Sequence, residues 1–273
     1  AFNSGEILGK LRYSFANGAT LTGVEEAYLN DQGVPGIGAF QSDDASLREL
    51  RSLTYLRLEG HPFGKPNVDA ATTAYYVYER EAFRDVKGQI GLGSVSTRNQ
   101  TDSGGLDNQV VTRVGAHEIE GRLDVGGQVF LPFDALAPNP NGPNQSRVSL
   151  DVAVGDTFSL LNDRLLIQHS MRYEHLHDHF GGTIGAGGLV DDHPQGSDID
   201  LFTPRLGLRF EWLPQLALRG NAGRYARAPT FNELFGDRGS VIGNPNLKPE
   251  KGVNADMGVV FTRAAIGPIT NLR

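Results

Sequence analysis

The feature that most restricts this chain is a hydrophobic period of two, sustained over long segments. Between 147 and 160, Val148, Leu150, Val152 and Val154 alternate with Arg147, Ser149, Asp151, Ala153 and Gly155. Successive side chains of a β-strand point to opposite faces, so one face here is aliphatic and the other polar or small. The same alternation sets Ile119, Leu123, Val125, Val129 and Leu131 against Glu120, Arg122, Asp124, Gly126 and Gln128. It sets Leu206, Leu208, Phe210 and Trp212 against Arg205, Gly207, Arg209 and Glu211, and Ile7, Leu11, Tyr13 and Phe15 against Lys10, Arg12 and Ser14. No stretch of similar length follows the period of an amphipathic helix, about 3.6 residues, and the chain reads as all-β.

Eleven such segments and the start of a twelfth are predicted, at 5–16, 20–30, 47–59, 71–84, 107–116, 119–131, 147–159, 163–178, 200–212, 216–227, 252–263 and from 268 onward. Short turns such as Asn17, Gly18 and Ala19, Asn162 and Asp163, and Leu213, Pro214 and Gln215 largely alternate with long connections at 31–46, 85–106, 132–146, 179–199 and 228–251. Connections of that length are uncommon in compact domains and usually functional. Repeated at every second position, they put all long loops at one end of an antiparallel sheet. A soluble sandwich also alternates, but its strands average about five or six residues. A transmembrane barrel needs strands of roughly 9–11 residues, an apolar outer face, a polar lumen, short turns at one end and long loops at the other. The pattern predicts a transmembrane antiparallel β-barrel. Trp212, Tyr13 and Phe15 fall beside short turns, where an interfacial aromatic girdle would lie.

Composition agrees with this architecture. Only 39% of the 273 residues are hydrophobic and 35 are Gly, too little apolar material for a conventional core but sufficient for one face of each strand. The formal charge of −7 offers no basic surface to nucleic acid. The absence of Cys excludes disulfide scaffolds, cysteine nucleophiles and iron–sulfur sites. No apolar run approaches the roughly 18 residues of a membrane helix. The start at Ala1 shows neither an initiator Met nor a signal-peptide pattern.

Residues 223–258 read GRYARAPTFNELFGDRGSVIGNPNLKPEKGVNADMG. With Arg227, Ala228, Pro229, Phe231, Glu233 and Leu234, followed by Asn244, Pro245, Asn246, Leu247, Lys248, Pro249 and Glu250, this resembles the barrel of TonB-dependent outer-membrane receptors. The segment 31–40 and the strand 165–178, with Arg172 and Glu174, are similar to pieces of the same family. Read physically, Pro245 and Pro249 fix φ and remove donors, and Asn244 and Asn246 favour turns. The motif is therefore expected to be structural, a rigid corner before Val253, Ala255, Met257, Val259 and Phe261 return to the lipid face. Lys248, Glu250 and Lys251 are expected to be solvated or locally paired.

The resemblance implies an outer-membrane active transporter and not an enzyme, one that takes up a scarce large nutrient such as a ferric siderophore, cobalamin, haem or an oligosaccharide. The partners it implies are outer-membrane lipid, the TonB energy-coupling complex acting through a plug, and an extracellular ligand bound between plug apex and long loops. Neither plug nor coupling box is recognisable, and eleven strands with a stub cannot close a barrel. Residues 1–273 are thus expected to be a partial barrel domain, about half of a 22-strand barrel without its plug, ending at Arg273 inside a strand. Two alternatives stay open, a passive porin-like channel and a secreted all-β carbohydrate-binding module.

Other candidate chemistry is weaker. His175, His177 and His179 share one strand face and could gather a transition metal. Strand neighbours two apart are too widely spaced for three ligands on one ion, and polar Asp178, Asp191 and Asp192 suit a strand running into its loop, so no metal site and no cofactor is expected. The glycine-rich stretch 181–188 lacks a following helix and reads as an external loop rather than a nucleotide cradle. Arg122, Arg147, Arg172, Arg205, Arg209 and Arg219, with Glu120, Asp124, Asp151, Glu174 and Glu211, are expected to line the lumen. Which residues bind ligand is not legible in the sequence.

Overall fold

The computed structural model describes residues 2–36, 41–90, 93–184, 190–191, 195–235, 243–266 and 269–272. Several positions within the segments discussed above, namely Ala1, 37–40, 91–92, 185–189, 192–194, 236–242, 267–268 and Arg273, lie outside the described residues.

Eleven antiparallel strands form one sheet. They are β1 (Phe2–Ser14), β2 (Thr20–Gly33), β3 (Ser46–Gly60), β4 (Val68–Asp85), β5 (Val95–Val114), β6 (His117–Leu131), β7 (Gln145–Leu160) and β8 (Leu165–Phe180). After the two-residue pair β9 (Thr183–Ile184) and β10 (Val190–Asp191) come β11 (Gln195–Leu213), β12 (Leu216–Arg227) and β13 (Glu250–Phe261). Each strand of the sheet pairs with the next, β8 pairing with β11, and β1 and β13 are the two edges. A five-residue helix α1 (Phe231–Phe235) lies in the connection from β12 to β13. Strands β14 (Arg263–Ile266) and β15 (Ile269–Leu272) pair only with each other. The predicted twelfth strand, in its described residues 269–272, pairs with β14 and not with the main sheet.

Short and long connections alternate strictly, at the ends the sequence assigned them. In the first short turn, the Ala19 amide donates to Asn17 Oδ1 at 3.1 Å and Gly18 takes a φ of 83°. This is the asparagine-assisted, left-handed turn that joins two twisted strands. One predicted long connection is wrong. Residues 95–106 belong to β5, which pairs with β4 from Val95 to Thr112. Alternation fails to reveal this stretch because its outer-face residues, Gln100, Asp102 and Gly104, are polar or lack a side chain.

Burial is inverted relative to a soluble domain. Val253 and Met257 are 80% and 89% exposed, whereas Asp85 and Asp178 are 0% and 1% exposed. The register puts Val148, Leu150, Val152 and Val154 on the same face as Tyr173 and Met171 of β8, and the charged residues on the other. A sheet with an apolar outer and a polar inner face is stable when lipid covers the first and water or protein the second. The outer face is interrupted at β2 to β5. Glu25 shares it with Leu21 and Leu29, and there Ser52 Oγ (2.7 Å) and Thr54 Oγ1 donate to its carboxylate. Nearby, Tyr76 Oη (2.5 Å) and Gln100 Nε2 (2.7 Å) donate to Asp102. Mutual hydrogen bonding offsets the desolvation that isolated polar groups would suffer there.

Candidate functional site

The long-connection end of the inner face is organised by the segment between β12 and β13. Thr230 begins α1 with a capping box: its amide donates to Glu233 Oε2 at 2.8 Å, and the Glu233 amide donates to Thr230 Oγ1 at 3.3 Å. The helix is only one turn, so tertiary contacts must hold it. Phe231 and Leu234 are buried against Phe130 of β6 and Phe180 of β8, with Phe235 packed alongside. Ring centroids of Phe130 and Phe231 lie 5.8 Å apart, and those of Phe180 and Phe235 lie 5.1 Å apart. Phe130 and Phe180 sit on the inner face, so α1 folds back over that face of the sheet.

Arg147 fastens it. Its Nε and Nη2 donate to the two carboxylate oxygens of Asp178 at 2.6 and 2.8 Å, and its Nη1 donates to the Pro229 carbonyl at 3.0 Å. The guanidinium also lies 5.2 Å from the Phe231 ring centroid. The Arg147 side chain is 13% exposed and that of Asp178 is 1% exposed, so this bidentate pair is largely shielded from water.

The second arginine of the segment joins its two halves. Arg227 donates to Glu233 at 2.9 and 2.8 Å and to Glu250 at 3.0 Å. Arg227, with Thr230, holds the Glu233 carboxyl down at about 2, and Arg227 likewise lowers Glu250; the two carboxylates raise Arg227 in turn. Downstream, the Asn246 amide donates to Asn244 Oδ1 at 3.0 Å and the Leu247 amide to the Asn244 carbonyl at 3.2 Å. The Asn244 amide reaches the Glu233 carbonyl at 3.0 Å, tying this turn to α1. Ala228 lines a cavity of about 420 Å³ with Arg147, Arg172 and Arg227.

Two other external connections are clasped by one side chain. Gln89 Oε1 accepts from Ser42 Oγ and from the amides of Asp43 and Asp44 at 3.1 to 3.3 Å, while its Nε2 donates to Asp43 Oδ1 at 2.8 Å. Gln89, followed by Lys87, lowers the Asp43 carboxyl. Gln89 is itself positioned by Asp85, whose carboxylate accepts the amides of Gln89 and Ile90 at 2.8 and 2.7 Å.

Deeper in the lumen is a cavity of about 830 Å³ lined by Asp107, Asp124, Asp151, Arg122, Arg172 and Arg205 among others. Arg122 pairs with Asp107 at 2.5 Å, and Arg172 with Asp151 and with Glu174. The charges predicted to line the lumen lie on this face, and the observed pairs run between neighbouring strands or within one. His175 and His177 lie on the opposite, outer face, beside Asp200 and Asp198 at 2.9 and 2.7 Å. Among the described residues, no group of three or more His, Cys, Asp or Glu side chains has the geometry to hold a metal ion.

Of the motif residues, Arg227, Pro229, Asn244, Asn246 and Glu250 make the contacts described. Leu247 is 41% exposed. The sequence reading missed α1, although Thr230 to Glu233 spells a capping box. It also gave Asp178, the last residue of the predicted strand 163–178, no partner, and it passed over Gln89, for which no sequence signal exists.

A family model described as TonB dependent receptor-like, beta-barrel matches residues 4–267. No curated protein matches the sequence. Among solved structures, the hemophore receptor HasR of Serratia marcescens, in complex with its hemophore HasA and heme, superposes with a TM-score of 0.68 at 15% identity, over 96% of this chain and 42% of that one. The ferric citrate transporter FecA gives 0.71 at 13% identity over 95% and 41%, and the ferric yersiniabactin uptake receptor FyuA of Yersinia pestis gives 0.71 at 11% over 96% and 43%. At such identities the likeness establishes the fold, and this chain spans less than half the length of each of these three proteins.

Proposed function

The chain belongs to the TonB-dependent receptor β-barrel family, and on that membership we propose that it is part of an outer-membrane transporter that takes up a scarce large nutrient by energy-dependent import. The family is one of outer-membrane receptors and transporters rather than enzymes. The observation that carries the reading is the match of the family model to residues 4–267 of a chain whose inner face is polar and whose outer face is largely apolar. An apolar outer face with solvent inside suits lipid and disfavours the secreted carbohydrate-binding module.

In this proposal residues 1–273 form a partial barrel domain, and a plug, contributed by another part of the receptor, fills the lumen and transmits force from the TonB complex. The motif from Arg227 to Glu250 keeps a structural role, holding α1 over the lumen wall through Arg147 and Arg227. Ligand binds between the plug apex and the long connections. The solved relatives named above include a hemophore receptor and ferric-chelate receptors, which supports an iron chelate or haem as the first candidates.

Uptake by intact cells tests this. Deleting the gene should abolish accumulation of one radiolabelled ferric chelate or haem under iron limitation, and disabling the TonB complex should do the same. Accumulation that persists without the TonB complex, with single-channel conductance from the purified receptor, would establish the passive channel instead.

A further inference from the structure

Near the external ends of β3 to β5, the outer face carries four arginines around one alanine. Ala82 of β4 lies directly between Arg48 of β3 and Arg98 of β5, and Arg80 and Arg84 flank it along β4 on the same face. All four arginines are exposed. Diagonal neighbours on adjacent strands have Cα atoms roughly 7–8 Å apart, so the four side chains share one patch about 13 Å long and about 10 Å wide.

Like charges at such spacing repel, and the protein supplies little to offset them. Arg48 is paired with Asp31 at 2.5 Å. Arg98 is held 4.6 Å from the ring centroid of Phe133, a contact that fixes the side chain without neutralising it. Arg80, Arg84 and Arg98 make no ion pair among the described residues. Glu79, Glu81 and Asp85 alternate onto the inner face. Asp102 borders the patch diagonally to Arg80, but it accepts instead from Tyr76 Oη at 2.5 Å and Gln100 Nε2 at 2.7 Å. Even with Asp31 and Asp102 counted, the patch keeps an excess of two positive charges.

Position decides what can offset that excess. The outer face of β4 runs from Val68 through Ala70, Thr72, Ala74 and Tyr76 to Tyr78, a stretch of the roughly 9–11 residues that a tilted strand needs to cross the hydrocarbon. Arg80 is the next residue on that face, and Leu50, directly opposite it on β3, is the last apolar one before Arg48. The arginines therefore stand at the level of the external headgroups, just beyond tyrosines of the kind that border the apolar band.

We propose that this patch binds the phosphomonoester headgroup of an anionic lipid in the external leaflet, an inference that rests on the outer-membrane reading. Guanidinium groups meet phosphate oxygens through paired, charge-assisted hydrogen bonds, and a dianionic headgroup matches the excess of two charges. The small side chain of Ala82 leaves the centre of the ring open. Free phosphate or an acidic protein offers similar charge, but lipid already lies at this depth.

The test is isothermal titration of the full-length receptor, in nonionic detergent, with dioctanoyl phosphatidic acid. Dioctanoyl phosphatidylcholine, inorganic phosphate and polyglutamate are the comparison probes. Phosphatidic acid should bind and phosphatidylcholine should not. Arg80→Gln and Arg84→Gln should each weaken phosphatidic acid about fivefold, and together about 25-fold. Ala82→Glu, which sets a carboxylate at the centre of the ring, should weaken it as much as the double variant. Arg224→Gln removes an exposed outer-face arginine of β12, opposite Val253, and should change nothing. An equal loss there would reduce the effect to net charge and overturn the inference. Failure of phosphatidic acid to bind would also overturn it, as would inorganic phosphate or polyglutamate binding to the same arginines as tightly as the lipid. Without lipid, the arginine variants should melt no lower than the wild type; a lowered midpoint would mean that the protein itself already satisfies these side chains, and the proposal would fall. None of these readouts depends on uptake. A receptor that binds the lipid but imports nothing refutes the transporter reading alone, and one that imports but ignores the lipid refutes this inference alone.

Discussion

Removing the Arg147 side chain is the sharpest perturbation of the external end. Arg147→Met keeps much of the side-chain volume and deletes the charge, leaving Asp178, 1% exposed, without its bidentate partner. Breaking a buried pair on one side costs about 3–5 kcal/mol, because the remaining charge stays desolvated. Both residues lie on neighbouring strands of the main sheet, so the loss should appear as a lower urea midpoint of the lipid-reconstituted protein. A second effect is local. The bond from Arg147 to the Pro229 carbonyl disappears, and a charge-assisted hydrogen bond of about 1.5–3 kcal/mol corresponds to about 10- to 100-fold less amide protection across α1. Hydrogen exchange followed by mass spectrometry resolves that segment. Replacing both partners, Arg147→Met with Asp178→Leu, should restore most of the global loss while α1 stays deprotected. A single-variant cost below about 1 kcal/mol, the magnitude of a surface ion pair, would refute the reasoning. So would a double variant as unstable as the single one.

Three further outcomes are expected. Phe231→Ala should cost about 3–5 kcal/mol of α1 docking, since Phe231 is 4% exposed among Phe130, Phe180 and Leu234; exchange protection of α1 measures it, with β6 to β8 unaffected. The folded Glu233 and Glu250 carboxyls lie below their unfolded value of about 4.5, Glu233 at about 2, so their contribution is complete above pH 4.5 and is lost as pH falls toward 2. A spin label at Asn232→Cys, unique in a chain without Cys, should therefore gain mobility only in that acid range, and a transition near pH 6 would contradict the assignment. Finally, Gly105→Ala should destabilise by about 1–3 kcal/mol, because its Cβ would meet the Val125 carbonyl at 2.5 Å and Tyr75 Oη at 2.7 Å; adding Tyr75→Ala should recover only part of the shift in melting midpoint.

How much was legible in the sequence depends on which force fixed each element. Lipid on one side and water on the other write an alternation, so β6, β7 and β12 could be bounded closely from Ile119, Val148 and their neighbours. The outer half of β5 escaped because Gln100 and Asp102 keep no such pattern. Helix α1 escaped because one turn shows no period, and only Thr230 and Glu233 marked it. The pairing of Arg147 with Asp178 depends on register between two strands, which side-chain chemistry alone does not set.

The Gln89 clasp alters how the rim would respond to an arriving molecule. Ser42, Asp43 and Asp44 and the start of the connection after β4 form one hydrogen-bonded unit, anchored by the fully buried Asp85. Two loops that would otherwise each lose freedom on capture have already lost it together during folding. This sector of the rim can act as a preset wall for whatever docks against it.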